Sequence, residues 1–394
     1  MRRVAILHFT VNFTESLMEE GKTVSFIMMG GFLGAGKTTL ISRIARHYSE
    51  QGKKIGLVTN DQAYGLVDTE HLRSEGFEVG EVPGACFCCK FNDLVETAES
   101  LARENLPDII IAEPVGSCTD LMATVIEPMR QIYGERFELG PLTVLLKPEH
   151  GRKILSGKGK IGFSPKAAYI FEKQIEEANI VAVNKMDKLN EEDRQELVSL
   201  VEEKYPGKKI VLISGRTGEN VDQLLEAIED RENVFRTTMD VDYDLYAEGE
   251  AELGWFNCQV SATAAVGEGM PEREVDFDLD HLVLRLVARV ANDLVARGLE
   301  SAHLKVMGQT PADTAIANHV SADEPAELSL SSEVRASAAD LIVNARVAAE
   351  PEDLEKVIKQ GVEALAGELG VELRLDGIQS FKPGRPEPVH RISS

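Results

Sequence analysis

From residue 24 to about residue 232 the chain alternates short continuous apolar runs with longer segments whose apolar residues recur every three or four positions. The apolar runs at 24–29, 54–59, 77–82, 108–114, 179–183 and 208–214 predict strands, and the segments at 91–104, 168–178, 191–205 and 218–230 predict amphipathic helices, with a further helix before Gly52. Uninterrupted apolar strands between amphipathic helices predict an α/β domain whose mostly parallel sheet is covered on both faces. After about residue 236 the texture changes. An acidic stretch leads into shorter strands at 254–264, 302–309, 314–320, 326–331, 340–349 and 371–381, and long helices at 279–299 and 351–369, which predict a smaller α+β domain. The expected organisation is an N-terminal extension over 1–23, a first domain over 24–235 and a second over 236–394, ending in a loose tail from residue 381.

The turn after the first strand changes the picture from fold class to chemistry. Gly31-Phe-Leu-Gly34-Ala35-Gly36-Lys37-Thr38-Thr39 fits the phosphate-binding pattern G-x-x-x-x-G-K-[ST] between a strand and a helix, so the first domain is expected to be a P-loop NTPase. The glycines let backbone N–H groups face phosphate, Lys37 reaches the β and γ phosphates, and the Thr38 hydroxyl ligates Mg²⁺. Asn184-Lys185-Met186-Asp187 closes a later strand. A carboxylate at Asp187 can accept from guanine N1–H and the 2-amino group, whereas adenine would leave it unpaired, so GTP is expected over ATP. Asn184 and the Lys185 stem would hold the loop and the ring face, and Ser214-Gly215-Arg216 is placed to meet guanine O6. Glu113 and Gly116 end the strand "IIIAEPVG", where an acid would organise Mg²⁺ and water and Gly116 would sense the γ-phosphate. Asp61 is a further candidate for Mg²⁺ or switch chemistry, and Asp68 for a switch loop.

Cysteine usage adds a second chemistry. Three of the five cysteines, Cys86, Cys88 and Cys89, crowd into "GACFCCK" after the strand at 77–82. Thiolates suit Zn²⁺ and related soft or borderline ions, and three of them leave a tetrahedral position open, as a site that releases its metal requires. Cys118 is a candidate for that position, with His71 and Asp61 as weaker ones, while Cys258 beside Trp255 reads as core. Buried structural cysteines, a redox pair and an iron–sulfur cluster are the competing readings of the thiols.

Together, "GGFLGAGKTTL", "NDQAYGLVD", "GACFCC", "EPVG" and "NKMD" resemble the CobW-like GTPases of the CobW/HypB/UreG family in order and spacing. The resemblance implies slow GTP hydrolysis coupled to transfer of Zn²⁺, Co²⁺ or Ni²⁺, with Cys86, Cys88 and Cys89 matching the C-x-C-C metal motif. Two departures stand out. Asn60-Asp61-Gln62-Ala63 replaces N-E-F-G, and Glu113-Pro114-Val115-Gly116 replaces E-T-S-G. The expectation is a GTP-hydrolysing metallochaperone using Mg²⁺, with Zn²⁺ or Co²⁺ as cargo and Lys37, Asp61 and Glu113 as catalytic groups. Its expected partners are a client metalloprotein or cofactor-assembly protein and a second copy of the chain. The alternative is a nucleotide-gated interaction module whose cysteines are structural or redox-active.

Charge and composition narrow the setting. A formal net charge of −24 excludes nucleic acid as the main partner, since phosphate backbones are met by clustered Lys and Arg. No apolar run reaches the roughly 18 residues a membrane span needs, and an odd number of cysteines without a disulfide-like spacing predicts a reducing cytoplasm.

Overall fold

The computed structural model describes residues 23–157, 164–231, 234, 238–265, 276–322 and 324–392. The expected extension, all but its last residue, and the expected domain boundary at 235/236 lie outside them. Among the described residues, β1 (Val24–Gly31), β2 (Ile55–Asp61), β3 (Glu78–Pro83), β4 (Ile109–Glu113), β5 (Phe137–Leu139), β6 (Thr143–Leu146), β7 (Ile180–Val183) and β8 (Lys209–Leu212) form one sheet of order β3-β2-β4-β1-β6-β7-β8, with β5 pairing the start of β1. Every pairing is parallel.

Parallel pairing requires crossovers, and helices supply them. They are α1 (Lys37–Glu50), α2 (Val67–Ser74), α3 (Phe91–Asn105), α4 (Glu127–Tyr133), α5 (Pro148–Leu155), α6 (Pro165–Glu177), α7 (Glu191–Lys204) and α8 (Val221–Glu229). They cover both faces: one core holds Phe26, Met28, Val58 and Phe171, the other Ile27, Met29, Leu57 and Leu224, so alternate residues of β1 and β2 point to opposite sides. The sequence pattern missed β6. Its four residues are all buried between β1 and β7, a run too short to stand out beside the longer strands.

A short helix α9 (Tyr243–Glu250) then forms inside the acidic stretch, started by the Asp242 carboxylate accepting from the Asp244 and Leu245 amides. It leads into an antiparallel sheet of order β13-β12-β11-β15-β9-β16, built from β9 (Gly254–Ala264), β11 (Ser301–Gln309), β12 (Thr314–His319), β13 (Glu327–Leu330), β15 (Ala338–Val347) and β16 (Val371–Phe381). A two-stranded pair, β10 (Phe277–Asp278) with β14 (Arg335–Ala336), sits beside it. Helices α10 (Leu279–Ala296) and α11 (Pro351–Leu369) cover one face, where Leu282, Leu286, Val357 and Ile358 meet Leu304, Val306 and Val343. Cys258 lies buried in this core, as its sequence context predicts.

The opposite face of that sheet lies on the first domain. Along β11 the residues alternate, with Leu304 and Val306 in the second core and Met307 packed on Val67 and Ile316. Asn344 accepts from the Val67 amide at 2.8 Å and donates to the Gly65 carbonyl at 3.1 Å, while Asn257 donates to the Tyr64 carbonyl at 3.3 Å. The loop following β2 is thus held by the second sheet.

Candidate functional site

The first part of the site grows from the end of β1. Gly31 has φ 137°, and a Cβ there would lie 2.6 Å from the Leu145 carbonyl oxygen; Gly36, at φ 90°, would put its Cβ 2.6 Å from Asn184 Nδ2. Only glycine fits this wrap, which delivers Lys37 and Thr38 to the first turn of α1. Lys37 Nζ donates to the Gly31 carbonyl at 3.0 Å and lies 4.0 Å from Glu113. Burial lowers its pKa, against the opposing charges of Glu113 and Asp68.

The Thr38 hydroxyl faces two carboxylates, Asp68 Oδ1 at 2.8 Å and both oxygens of Glu113 at 3.1 Å. Burial, reinforced by the Asp68 charge, raises the Glu113 pKa to about 7. Gly116 approaches the same lysine: a Cβ there would meet Leu33 Cδ2 at 2.7 Å and Lys37 Nζ at 3.1 Å.

The second part lies at the ends of β7 and β8. Asn184 donates to the Ala35 carbonyl at 2.8 Å and accepts from the Gly215 amide at 2.8 Å, tying the glycine-rich loop to the segment 214–216. Lys185 adopts a left-handed conformation with φ 60°, and burial, with Lys147 nearby, lowers its pKa to about 8. Asp187 is exposed, and its Oδ1 accepts from Ser214 Oγ at 2.7 Å. One cleft is lined by Gly34, Lys37, Thr38, Glu113, Gly116, Asn184, Lys185 and Asp187, together with Asp61 and Asp68.

The third part begins at the end of β3, where Gly84, at φ 91°, turns the chain into Cys86–Lys90 before α3. Cys86 Sγ lies 3.1 Å from Cys88 Sγ and 3.4 Å from Cys89 Sγ, and the latter two are 3.7 Å apart. These spacings are too long for a disulfide, with S–S of about 2.05 Å; only the Cys88–Cys89 separation is close to the ~3.8 Å that four-coordinate zinc imposes on sulfurs bonded at ~2.3 Å, and the two to Cys86 would have to widen. The hydrogen bonds donated by Cys118, Cys88 and Cys89 hold the Cys86 pKa well below that of an ordinary thiol. Cys118 touches Cys86 but stands outside the group of three whose sulfurs lie within 4.8 Å of one another, and His71 faces Glu75 instead, at 3.9 Å.

The family model of the CobW/HypB/UreG nucleotide-binding domain matches residues 25–212. The nucleotide-binding domain belongs to the CobW/HypB/UreG family. The chain is 28% identical over 177 residues to the zinc chaperone YeiR of Escherichia coli (strain K12), covering 43% of this chain and 49% of the relative. It is 36% identical over 111 residues to the zinc chaperone CobW of a Sinorhizobium species, covering 26% and 30%. With the urease accessory protein UreG of Metallosphaera sedula it shares 27% identity over 216 residues, covering 51% and 90%. The chain therefore spans about half the length of the first of these relatives and under a third of the second.

Several residues of this CobW/HypB/UreG domain carry connections that the motifs did not announce. Asn60, at the end of β2, donates to the carbonyls of Val82 at 2.6 Å and Ala85 at 2.7 Å and accepts from the Phe87 amide at 2.8 Å. It thereby clamps the thiol loop while lining the cleft beside Lys37 and Thr38. Asp61 is paired with Arg346 from β15 at 2.9 Å, and Arg346 lies 4.0 Å over the Trp255 ring. Gln174 on α6 holds the carbonyls of Gly116 at 3.0 Å and Cys118 at 2.8 Å. Behind Cys118, the buried Glu250 accepts from Ser117 Oγ at 2.5 Å.

The tail also departs from expectation. Instead of hanging loose, residues 385–392 dock on the thiol loop: the Glu387 amide donates to Cys89 Sγ at 3.2 Å and the Val389 amide to the Cys88 carbonyl at 2.9 Å. The His390 ring meets Phe91 edge-on at 4.9 Å, and Arg391 pairs with Asp120 at 2.8 Å. Proline-rich composition hid this, because an extended segment held by backbone hydrogen bonds leaves no periodic apolar pattern.

Proposed function

We propose that the protein is a GTP-hydrolysing metallochaperone that carries Zn²⁺ or Co²⁺ on Cys86, Cys88 and Cys89 and passes it to a client metalloprotein or cofactor-assembly protein. The observation that carries this reading is Asn60, whose amide group fixes the three-thiol loop from a position on the wall of the phosphate cleft. A nucleotide that orders the ends of β2 and β4 then bears directly on the arrangement of the thiols. Linkage makes the effect reciprocal.

The donor set around Thr38 fits Mg²⁺, a hard cation that favours hydroxyl and carboxylate oxygen. Thr38, with Glu113 and Asp68 beside it, would hold the ion, which when bound neutralises phosphate charge. Lys37 and the backbone of Gly31–Thr39 bind the phosphates, and Gly116 contacts the terminal one. Glu113 and Asp61 position the attacking water and the loop after β2, while Asp187, oriented by Ser214, selects guanine. Three sulfurs supplied by the loop leave one coordination position for a client's ligand or for Cys118, so the cargo is held without being enclosed.

Metal analysis of the purified full chain tests the reading. One equivalent of Zn²⁺ or Co²⁺ is expected on the wild type and none on the variant with Cys86, Cys88 and Cys89 all changed to Ser, at unchanged melting temperature. Zinc affinity should also differ between GDP and a non-hydrolysable GTP analogue. Metal content untouched by the triple substitution, or equal affinity with every nucleotide, would sink it.

A further inference from the structure

The second sheet reaches into the phosphate cleft with a charged strand. Gly34, at φ 72°, lies so close to that sheet that a Cβ would meet Val320 Cβ at 3.2 Å and the Ala302 carbonyl oxygen at 3.4 Å. Because Leu304 and Val306 turn into the second core, the intervening Lys305 turns toward the first domain. Its Nζ lies 2.5 Å from Asp68 Oδ1, the same oxygen that accepts from Thr38 Oγ1 at 2.8 Å. An ammonium and the P-loop threonine thus share one carboxylate atom, and Lys305 lines the cleft beside Lys37. Its side chain is 20% exposed, so it faces the cleft rather than being sealed behind it.

A lysine there costs rotamer freedom and desolvation, and a structural pair with Asp68 alone does not require placement on the phosphate wall. We propose that Lys305 is a catalytic residue supplied in cis by the second sheet, binding the terminal phosphate of GTP after exchanging Asp68 for it. This rests on the reading that GTP occupies the cleft. In hydrolysis the water oxygen bonds to the γ-phosphorus, the bond from that phosphorus to the β–γ bridging oxygen breaks, and GDP leaves with the electron pair. The water's protons pass to phosphate and solvent. Lys305 gives up no proton; its fixed positive charge offsets negative charge on the γ-phosphoryl oxygens in the transition state. GDP, lacking that group, leaves Lys305 on Asp68. The antiparallel sheet thereby distinguishes the two nucleotides through the strand that bears this lysine.

The experiment uses the full chain with Mg²⁺, comparing wild type with Lys305→Gln, which keeps a hydrogen bond to Asp68 without the charge, and with Lys305→Arg. Lys305→Gln is expected to lower kcat on the order of 10²-fold, to weaken a non-hydrolysable GTP analogue about 10-fold, and to leave GDP affinity within about twofold. Lys305→Arg should recover part of the loss. A wild-type kcat in Lys305→Gln, or equal weakening of GDP and analogue, overturns the inference and reduces Lys305 to a structural partner of Asp68. If Lys305→Gln melts early, Lys305→Met, which keeps an unbranched stem without the charge, takes its place, and a ratio of analogue to GDP affinity equal to wild type with unchanged kcat overturns the inference. Wild type that binds no GTP overturns the cleft reading itself, and this inference with it; hydrolysing wild type beside insensitive Lys305 variants overturns this inference alone.

Discussion

The phosphate cleft and the thiol loop stand at the same edge of one parallel sheet yet are held in different ways. The cleft is lined by hard oxygen donors and paired charges, with Lys37 against Glu113 and Lys305 against Asp68, and Arg346 against Asp61 close by. The cleft thus presents charges of both signs, each already paired. The thiol loop is held mostly by neutral backbone and amide hydrogen bonds: Asn60 on one side, the Glu387 and Val389 amides on the other. Under the proposed function the pairs in the first region would trade partners with a charged ligand, whereas the bonds in the second would fix a geometry for a soft metal to complete. Charge sets the exchange; shape sets the retention.

Asn60→Ala breaks this comparison most severely, because it removes the bonds to Val82, Ala85 and Phe87 at once and leaves a buried amide unpaired, at a cost of about 1–3 kcal/mol. Zinc affinity should fall on the order of 10- to 100-fold, and the ratio of zinc affinities with GTP analogue and GDP should approach one. Zinc titrations in both nucleotide states check this, and an unaltered ratio would show that the link runs elsewhere. Truncation after Lys382 is the next effect in size. Without the amide of Glu387 on Cys89, zinc affinity should drop about 10-fold while metal-free GTP turnover stays unchanged. Loss of turnover to the same degree would instead make the tail a general support.

The smallest effect sharpens how the segment between the two regions is fixed. Glu177 accepts from Thr119 Oγ1 at 3.1 Å and the Met122 amide at 3.0 Å, just beyond Cys118, and burial raises its pKa to about 8. A carboxyl whose folded pKa exceeds its unfolded value of ~4.5 gives stability that is full below that value and is lost as pH rises through the folded pKa near 8. Glu177→Gln, which can mimic the protonated acid, should therefore melt progressively higher than wild type between pH 5 and pH 8.5, by roughly 2 to 4 °C. A difference independent of pH would rule out a protonated Glu177.

The sequence made the cleft legible because its parts are contiguous motifs whose spacing is set by backbone turns, as at Gly31, Gly36 and the Asn184–Asp187 loop. The thiols were legible because three rare side chains fell within four positions. The longer strands and helices of both sheets followed from periodicity, whereas the short elements β5, β6, α2, α4, α5 and α9 did not: β6 is four residues long, α2, α4 and α5 are only about two turns each, and α9 buries Tyr246 within an acidic surface. Lys305 and Arg346 were hidden for another reason. On a strand with one face in a helix-covered core, they read as ordinary outward polar positions, and only packing of the second sheet on the P-loop turned that outward face into a site wall. Asn60 opened a four-residue stretch that drew notice only for its departures at Asp61, Gln62 and Ala63, and its own purpose shows only in three dimensions.

The docked tail has a practical consequence for handling the protein. Val389 binds the carbonyl of Cys88, so residue 394 is five residues from the thiol loop, a reach of at most about 18 Å when extended. If the thiols hold a metal as proposed, a polyhistidine tag appended after residue 394 would bring imidazoles close enough to compete for it or to complete its coordination, and a bulky fusion would pull on the segment that braces Cys89. Metal stoichiometry and affinity therefore belong to protein purified from the other end.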